Sequence, residues 1–134
     1  MTLERRSFLA GAAALGVAAA SQAEAQTAVM QMVAMYGTIG KMTARGGQRD
    51  ALAAILMRAI PGMPGCLSYI VANDPADANA LWITEVWETK EAHSRSLSLP
   101  AVRAAIAKAR PLIAGMQTIT ETVPIGGQGL KTAG

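Results

Sequence analysis

The run Ala80–Trp87 is apolar at both parities: Leu81, Ile83 and Trp87 alternate with Trp82 and Val86. Successive side chains of a strand point to opposite faces, so a strand with one hydrated face alternates apolar with polar residues. This run does not. An earlier stretch repeats the pattern, with Val29, Val33 and Ile39 at odd positions and Met30, Met32 and Tyr36 at even ones. A sheet made of such strands needs cover on both sides.

The order of the elements limits what can supply that cover. Residues 29–42 read as the first strand, ended by the turn signal Ala44-Arg45-Gly46-Gly47, and Gly37 and Gly40 within it mark a bulge or a close backbone approach. Residues 48–60 set Leu52, Ile55, Leu56 and Ala59 at helical spacing, before Pro61-Gly62-Met63-Pro64-Gly65 stops the helix. Cys66–Asn73 and Ala80–Trp87 are β-prone and joined by a polar hairpin connection at residues 74–79. Thr89 caps a helix over 90–97, Pro100 opens a second helical piece through Ala109, and 117–123 alternates as the last strand. The order βαββαβ predicts an α+β, ferredoxin-like fold with its helices on one face of an antiparallel sheet. The other face is then expected to meet a second copy, sheet against sheet, in a homodimer.

The chain has 134 residues, 51% of them hydrophobic and 16% charged, which suits one folded domain and not a disordered chain. That domain is placed at 28–125, followed by a loose tail at 126–134. Residues 1–25 read as an address: Arg5 and Arg6 precede Ser7-Phe8-Leu9 and an Ala/Gly/Leu/Val stretch, and Ala23-Glu24-Ala25 offers small residues for cleavage. This is similar to a bacterial twin-arginine export signal, so the mature protein is expected in the periplasm. The uncharged run from Ser7 is short and rich in Ala and Gly, which argues against a permanent membrane anchor. The net charge of +3 comes from Lys and Arg scattered without a run, a pattern that excludes a nucleic-acid footprint. One cysteine, Cys66, cannot close an intrachain disulfide, and it reads as a small buried hydrophobe.

Leu81-Trp82-Ile83-Thr84-Glu85-Val86-Trp87-Glu88-Thr89-Lys90-Glu91-Ala92-His93, then Ser98-Leu99-Pro100-Ala101-Val102, resembles the antibiotic biosynthesis monooxygenase domain family. Pro64-Gly65-Cys66-Leu67-Ser68-Tyr69 is similar to that family's entry into its second strand. The resemblance implies a dimeric α+β barrel. In some members it implies a monooxygenase that oxidises quinols or polycyclic phenols with dioxygen and no metal or organic cofactor. Haem degradation is not implied, because Ser96 stands where the haem-degrading branch has its pocket tryptophan and Ile106 where it has the axial histidine. Two histidines common in quinol-oxidising relatives are replaced by Ser96 and Ala101.

His93 is the only histidine, so no histidine pair can build a metal site, and it is the candidate base for a phenolic substrate. Glu85 shares a face with Trp87, where a carboxylate requires a partner, and it is the second candidate catalytic group. Trp82, Trp87, Tyr69 and Tyr36 are the candidate walls for a small aromatic or hydrophobic molecule. The opposite parity of the two tryptophans sends them to opposite faces. Met30, Met32 and Met35 read as flexible core filling and not as a soft-metal site. The alternative to an enzyme is a non-catalytic dimer that binds a small hydrophobic ligand.

Overall fold

A computed structural model describes residues 22–26, 34–59 and 61–130. The contacts divide the chain between Val33 and Ala34. On the N-terminal side residues 22–26 are helical and exposed. Most of the expected export signal, Met30, Met32 and the expected strand residues up to Val33 lie outside the described residues, whereas Ala34 and Met35, also expected in the first strand, precede its start.

The C-terminal unit carries β1 (Tyr36–Ala44), α1 (Arg49–Ala59), β2 (Cys66–Asn73), β3 (Ala80–Trp87), α2 (Lys90–Ser96), α3 (Pro100–Ala109), a 3-10 turn (Arg110–Leu112) and β4 (Ile113–Thr122). The sheet order is β2-β3-β1-β4 and every pairing is antiparallel, as the ferredoxin-like reading requires. β2, β3 and α3 have the expected bounds. β1 runs to Ala44, two residues beyond the expected end, and β4 starts at Ile113, four residues before the expected start. The β4 start was hidden in sequence because Ala114 and Gly115 have little strand preference of their own. Pairing with β1, from Ala44↔Ile113 onward, recruits them.

Side-chain parity fixes the faces. Met42 and Ala44 of β1 and Leu81 and Ile83 of β3 form the core with Leu52 of α1 and Ala109 of α3. Leu52 and Leu81 are fully buried. The far face bears Ile39, Ile70, Trp82 and Val86, but Lys41, Thr43, Ser68 and Thr84 stand among them. It is less uniformly apolar than its two central strands led us to expect. Ile70 is 55% exposed in the single chain. No helix among the described residues is long and apolar enough to cross a membrane.

α2 is seven residues long and depends on its ends. Thr89 Oγ1 accepts the Ala92 N–H at 3.0 Å, the expected N-cap. Its other tether is Gly65, in the turn before β2. Gly65 has φ +83°, and its carbonyl accepts the Glu88 N–H at 2.8 Å. A Cβ built there would lie 2.6 Å from Ala92 Cβ, so the bare glycine lets α2 seat against the turn. Gly65→Ala should therefore lower stability by about 1–3 kcal/mol through left-handed strain and overpacking. Urea unfolding with an unchanged midpoint would show that this contact is dispensable.

Candidate functional site

Between the sheet and the helices lies a cavity of about 520 Å³ with mainly hydrocarbon walls. β1, β2 and β3 contribute Tyr36, Thr38, Tyr69, Ile83, Glu85 and Trp87, while α2 and α3 contribute His93, Val102, Ala105 and Ile106. Most of these sheet residues share the helix-covered parity, so the cavity continues the core toward the start of β1.

Glu85 is the fixed point of its polar end. Trp87 Nε1 donates to Oε1 at 3.1 Å and Thr38 Oγ1 donates to Oε2 at 3.0 Å. Both bonds follow from the sheet. Thr38 and Glu85 are register partners across β1 and β3, and Trp87 is two residues along the same strand on the same face. The His93 imidazole reaches in from α2, with Nε2 3.9 Å from Glu85 Oε1, and the two side chains are only 25% and 18% exposed. The Tyr36 ring lies 5.3 Å from the imidazole at a tilt of 48°, and the Trp87 indole meets it edge-on at 5.4 Å. The histidine is held between two aromatic rings above a carboxylate that already has its hydrogen bonds. Ser96 is buried, and its hydroxyl donates to the His93 carbonyl at 2.6 Å.

The structure thus brings together five of the six residues singled out from sequence: His93, Glu85, Trp87, Tyr69 and Tyr36. Trp82, expected as a wall of the same site, is on the far face. There its Nε1 donates to Asp74 Oδ2 at 2.9 Å, and Lys41 Nζ lies 5.7 Å from its ring. Hydrogen bonds from the Ala76 N–H and from Trp82, with Lys41 nearby, hold the Asp74 carboxyl below its ordinary range. Cys66 is half-buried, with Sγ 3.7 Å from the Ser68 carbonyl.

Sequence reasoning missed Thr38 and Glu121. Thr38 was legible as the β1 residue two along from Tyr36, on the same face. Glu121 accepts the Tyr36 hydroxyl at 2.8 Å, and Lys90 Nζ lies 3.9 Å from its other oxygen. Nothing local to Tyr36 foretells a partner 85 residues away. Among the described residues, no group of three or more His, Cys, Asp or Glu is arranged to hold a metal ion.

Both cavity tyrosines hold their protons firmly. Burial, the hydrogen bond to Glu121 and the charges of Glu121 and Glu85 push the Tyr36 phenol up to about 12. Burial, then the charges of Glu85 and Cys66, push Tyr69 upward as well. No partner among the described residues takes up the Tyr69 hydroxyl, which leaves it as a donor for a bound molecule.

Comparison with known proteins gives a consistent placement. The model of the antibiotic biosynthesis monooxygenase family matches residues 35–108. The crystal structure of a candidate antibiotic biosynthesis monooxygenase from Chloroflexus aurantiacus J-10-fl is 60% identical, covering 72% of this chain and 99% of that chain with a TM-score of 0.70. A candidate member from Caulobacter crescentus CB15 is 14% identical over 75% of this chain and 99% of that one, at a TM-score of 0.65. SnoaB, a cofactor-independent oxygenase from Streptomyces nogalater, is 14% identical over 70% and 96% of the two chains, at 0.59. The last two show the shared fold alone. Among curated proteins none matches.

The tyrosines carry a stability signature. The unfolded chain releases a phenol proton near pH 10.0, whereas folded Tyr36 keeps its proton to about 12. The folded state therefore binds more protons in that window, and stability falls as pH rises through it. The urea midpoint should drop between pH 10 and pH 12 in wild type and drop less in the Tyr36→Phe, Tyr69→Phe double variant. Equal slopes in the two proteins would contradict the assignment.

Proposed function

Because the chain belongs to the antibiotic biosynthesis monooxygenase family, we propose that it oxidises a quinol-like or phenolic aromatic with dioxygen, using neither metal nor organic cofactor. The observation that carries this reading is the placement of His93 inside a mainly apolar cavity, against two aromatic rings and 3.9 Å from a hydrogen-bonded Glu85. A ligand-binding dimer with no chemistry has no need of an enclosed imidazole–carboxylate pair. SnoaB supports the reading as a cofactor-independent oxygenase built on the same fold.

An electron-rich phenol needs only deprotonation and a dry site to react with oxygen. The substrate enters with a hydroxyl toward His93, and the imidazole takes its proton. Glu85 stabilises the resulting imidazolium, and its bonds to Thr38 and Trp87 keep it from turning away. The protonated Tyr69 donates to the substrate oxyanion. The phenolate passes one electron to dioxygen, and the aryloxyl radical and superoxide combine at a neighbouring ring carbon to form a carbon–oxygen bond. The imidazolium gives its proton to the resulting peroxide anion. The freed imidazole takes that ring carbon's proton as the oxygen–oxygen bond breaks and leaves a carbonyl, and the departing hydroxide takes this proton from the imidazolium to become water. A hydroquinone plus dioxygen gives a hydroxyquinone plus water, with all four electrons supplied by the substrate. Apolar walls limit escape of the radical pair.

The proposal extends to setting. The twin-arginine signal read at Arg5 and Arg6 delivers the folded domain to the periplasm. Two copies pair through the far sheet face, where Ile39, Ile70, Trp82 and Val86 provide an apolar patch.

Oxygen uptake with a panel of hydroquinones should show turnover, with one labelled oxygen atom in the product and no loss after treatment with a metal chelator. His93→Ala should lower kcat/KM by about 100-fold or more without changing the thermal midpoint. A panel with no turnover, or a variant as fast as wild type, would reject the reading. Size-exclusion chromatography with light scattering of the chain lacking residues 1–25 should give a dimer, and a stable monomer at micromolar concentration would reject the pairing.

A further inference from the structure

β1 sends five residues toward the helices, and four of them have clear work there. Tyr36 lies against His93, Thr38 holds Glu85, and Met42 and Ala44 are packed in the core. The fifth is Gly40, in the middle of the strand, and it contributes no side chain to a face that is otherwise filled.

Glycine in a strand interior is a cost, because it loses more backbone freedom than other residues and packs nothing. The register shift at Ile39/Gly40 places its extra residue, Ile119, on β4, and Gly40 is not among the glycines with positive φ, so the backbone does not require a glycine here. Crowding does not require it either. A Cβ at Gly37 would run into Thr122 Oγ1, which accounts for that glycine, whereas one at Gly40 meets only the Gln117 carbonyl oxygen, at 3.3 Å. That oxygen is backbone of the edge strand β4, so the one adjustment a Cβ would ask for is a shift of a few tenths of an ångström in that strand. What lies over Gly40 is the cavity.

We infer that Gly40 is the floor of the substrate site and sets the size of ring system it accepts. Its missing side chain leaves a gap between Thr38 and Met42 of about 13 Å along the strand, flanked by its register partners Ile83 and Thr118. A flat fused-ring aromatic lies face-on against this bare stretch of backbone, its hydroxyl end toward Thr38, Glu85 and His93. The inference rests on the proposed use of the cavity for a phenolic aromatic, and it adds that two or more fused rings are preferred over one.

The test is calorimetric binding of 2-naphthol and of phenol to the full chain and its Gly40→Ala and Gly40→Val variants. Valine suits a strand, so the thermal midpoint of Gly40→Val should equal or exceed that of wild type. Its Kd for 2-naphthol should rise at least about tenfold, that for phenol should rise much less, and Gly40→Ala should fall between. Unchanged 2-naphthol affinity in a folded Gly40→Val, or equal losses for both probes, would overturn the inference. Should Gly40→Val fold poorly, Gly40→Ala with wild-type preference for 2-naphthol over phenol would overturn it as well. Binding is read without turnover, so failure of the floor is distinguishable from failure of the oxidation chemistry.

Discussion

A carboxylate withdrawn from water needs a partner for each oxygen, and Glu85 is where this small sheet meets that demand. The two partners come from the most rigid source available, the register of β1 against β3 and the two-residue repeat of β3 itself. Once Thr38 and Trp87 hold the carboxylate, its position is set by backbone ladders and not by loops. His93, the group set against this carboxylate, has to be delivered from a helix. Its helix is short and would have little stability alone. Thr89 at its start and Gly65 against its side tie α2 to the end of β3 and the entry to β2, the strands that also carry Glu85 and Tyr69.

The same logic separates the two tryptophans. Trp87 is buried at the end of β3 and spends its indole N–H on Glu85, whereas Trp82, of opposite parity, spends its own on Asp74 near the hairpin. One stiffens the cavity floor, and the other fixes the turn between β2 and β3 on the far side. Tyr36 works likewise at the outer end, where the bond to Glu121 orients a ring that packs on His93. Ring contacts of this kind contribute little energy each, but they restrict how the imidazole can turn.

Much of this was legible in the sequence because it depends on parity and punctuation. Ala80–Trp87 states its own two faces, so the company of Glu85 and Trp87 and the opposite parity of Trp82 followed without a structure, although Trp82 was still counted among the walls. Thr89 and Pro100 announced their helices, and both start where expected. Local signals failed where pairing decides. The first residues of β4 are strand because β1 is beside them, and Glu121 enters the site because a long-range register, shifted at Ile39/Gly40, brings it opposite Thr38. The far face misled for the opposite reason. Trp82 and Val86 of β3 overstate its greasiness, which Thr84 of the same strand and Ser68, Thr43 and Lys41 of its neighbours dilute.

The uneven distribution of packing explains how a cavity can persist in so small a domain. Met42, Ala44, Leu81 and Ile83 clamp the sheet to α1 and α3 through Leu52 and Ala109, and this cluster anchors one end of the sheet–helix space. Toward the other end the residues shrink or turn polar, with Gly40, Ala105 and Thr38 among the walls. Filling that space would add stability, since buried hydrocarbon contributes about 25 cal/mol per Å² removed from water. The chain leaves it unfilled and places there its one histidine and a fully hydrogen-bonded carboxylate. A site of this kind is preorganised because the firm core needs no ligand to hold the walls apart, and a bound ring replaces the packing that the sequence withholds.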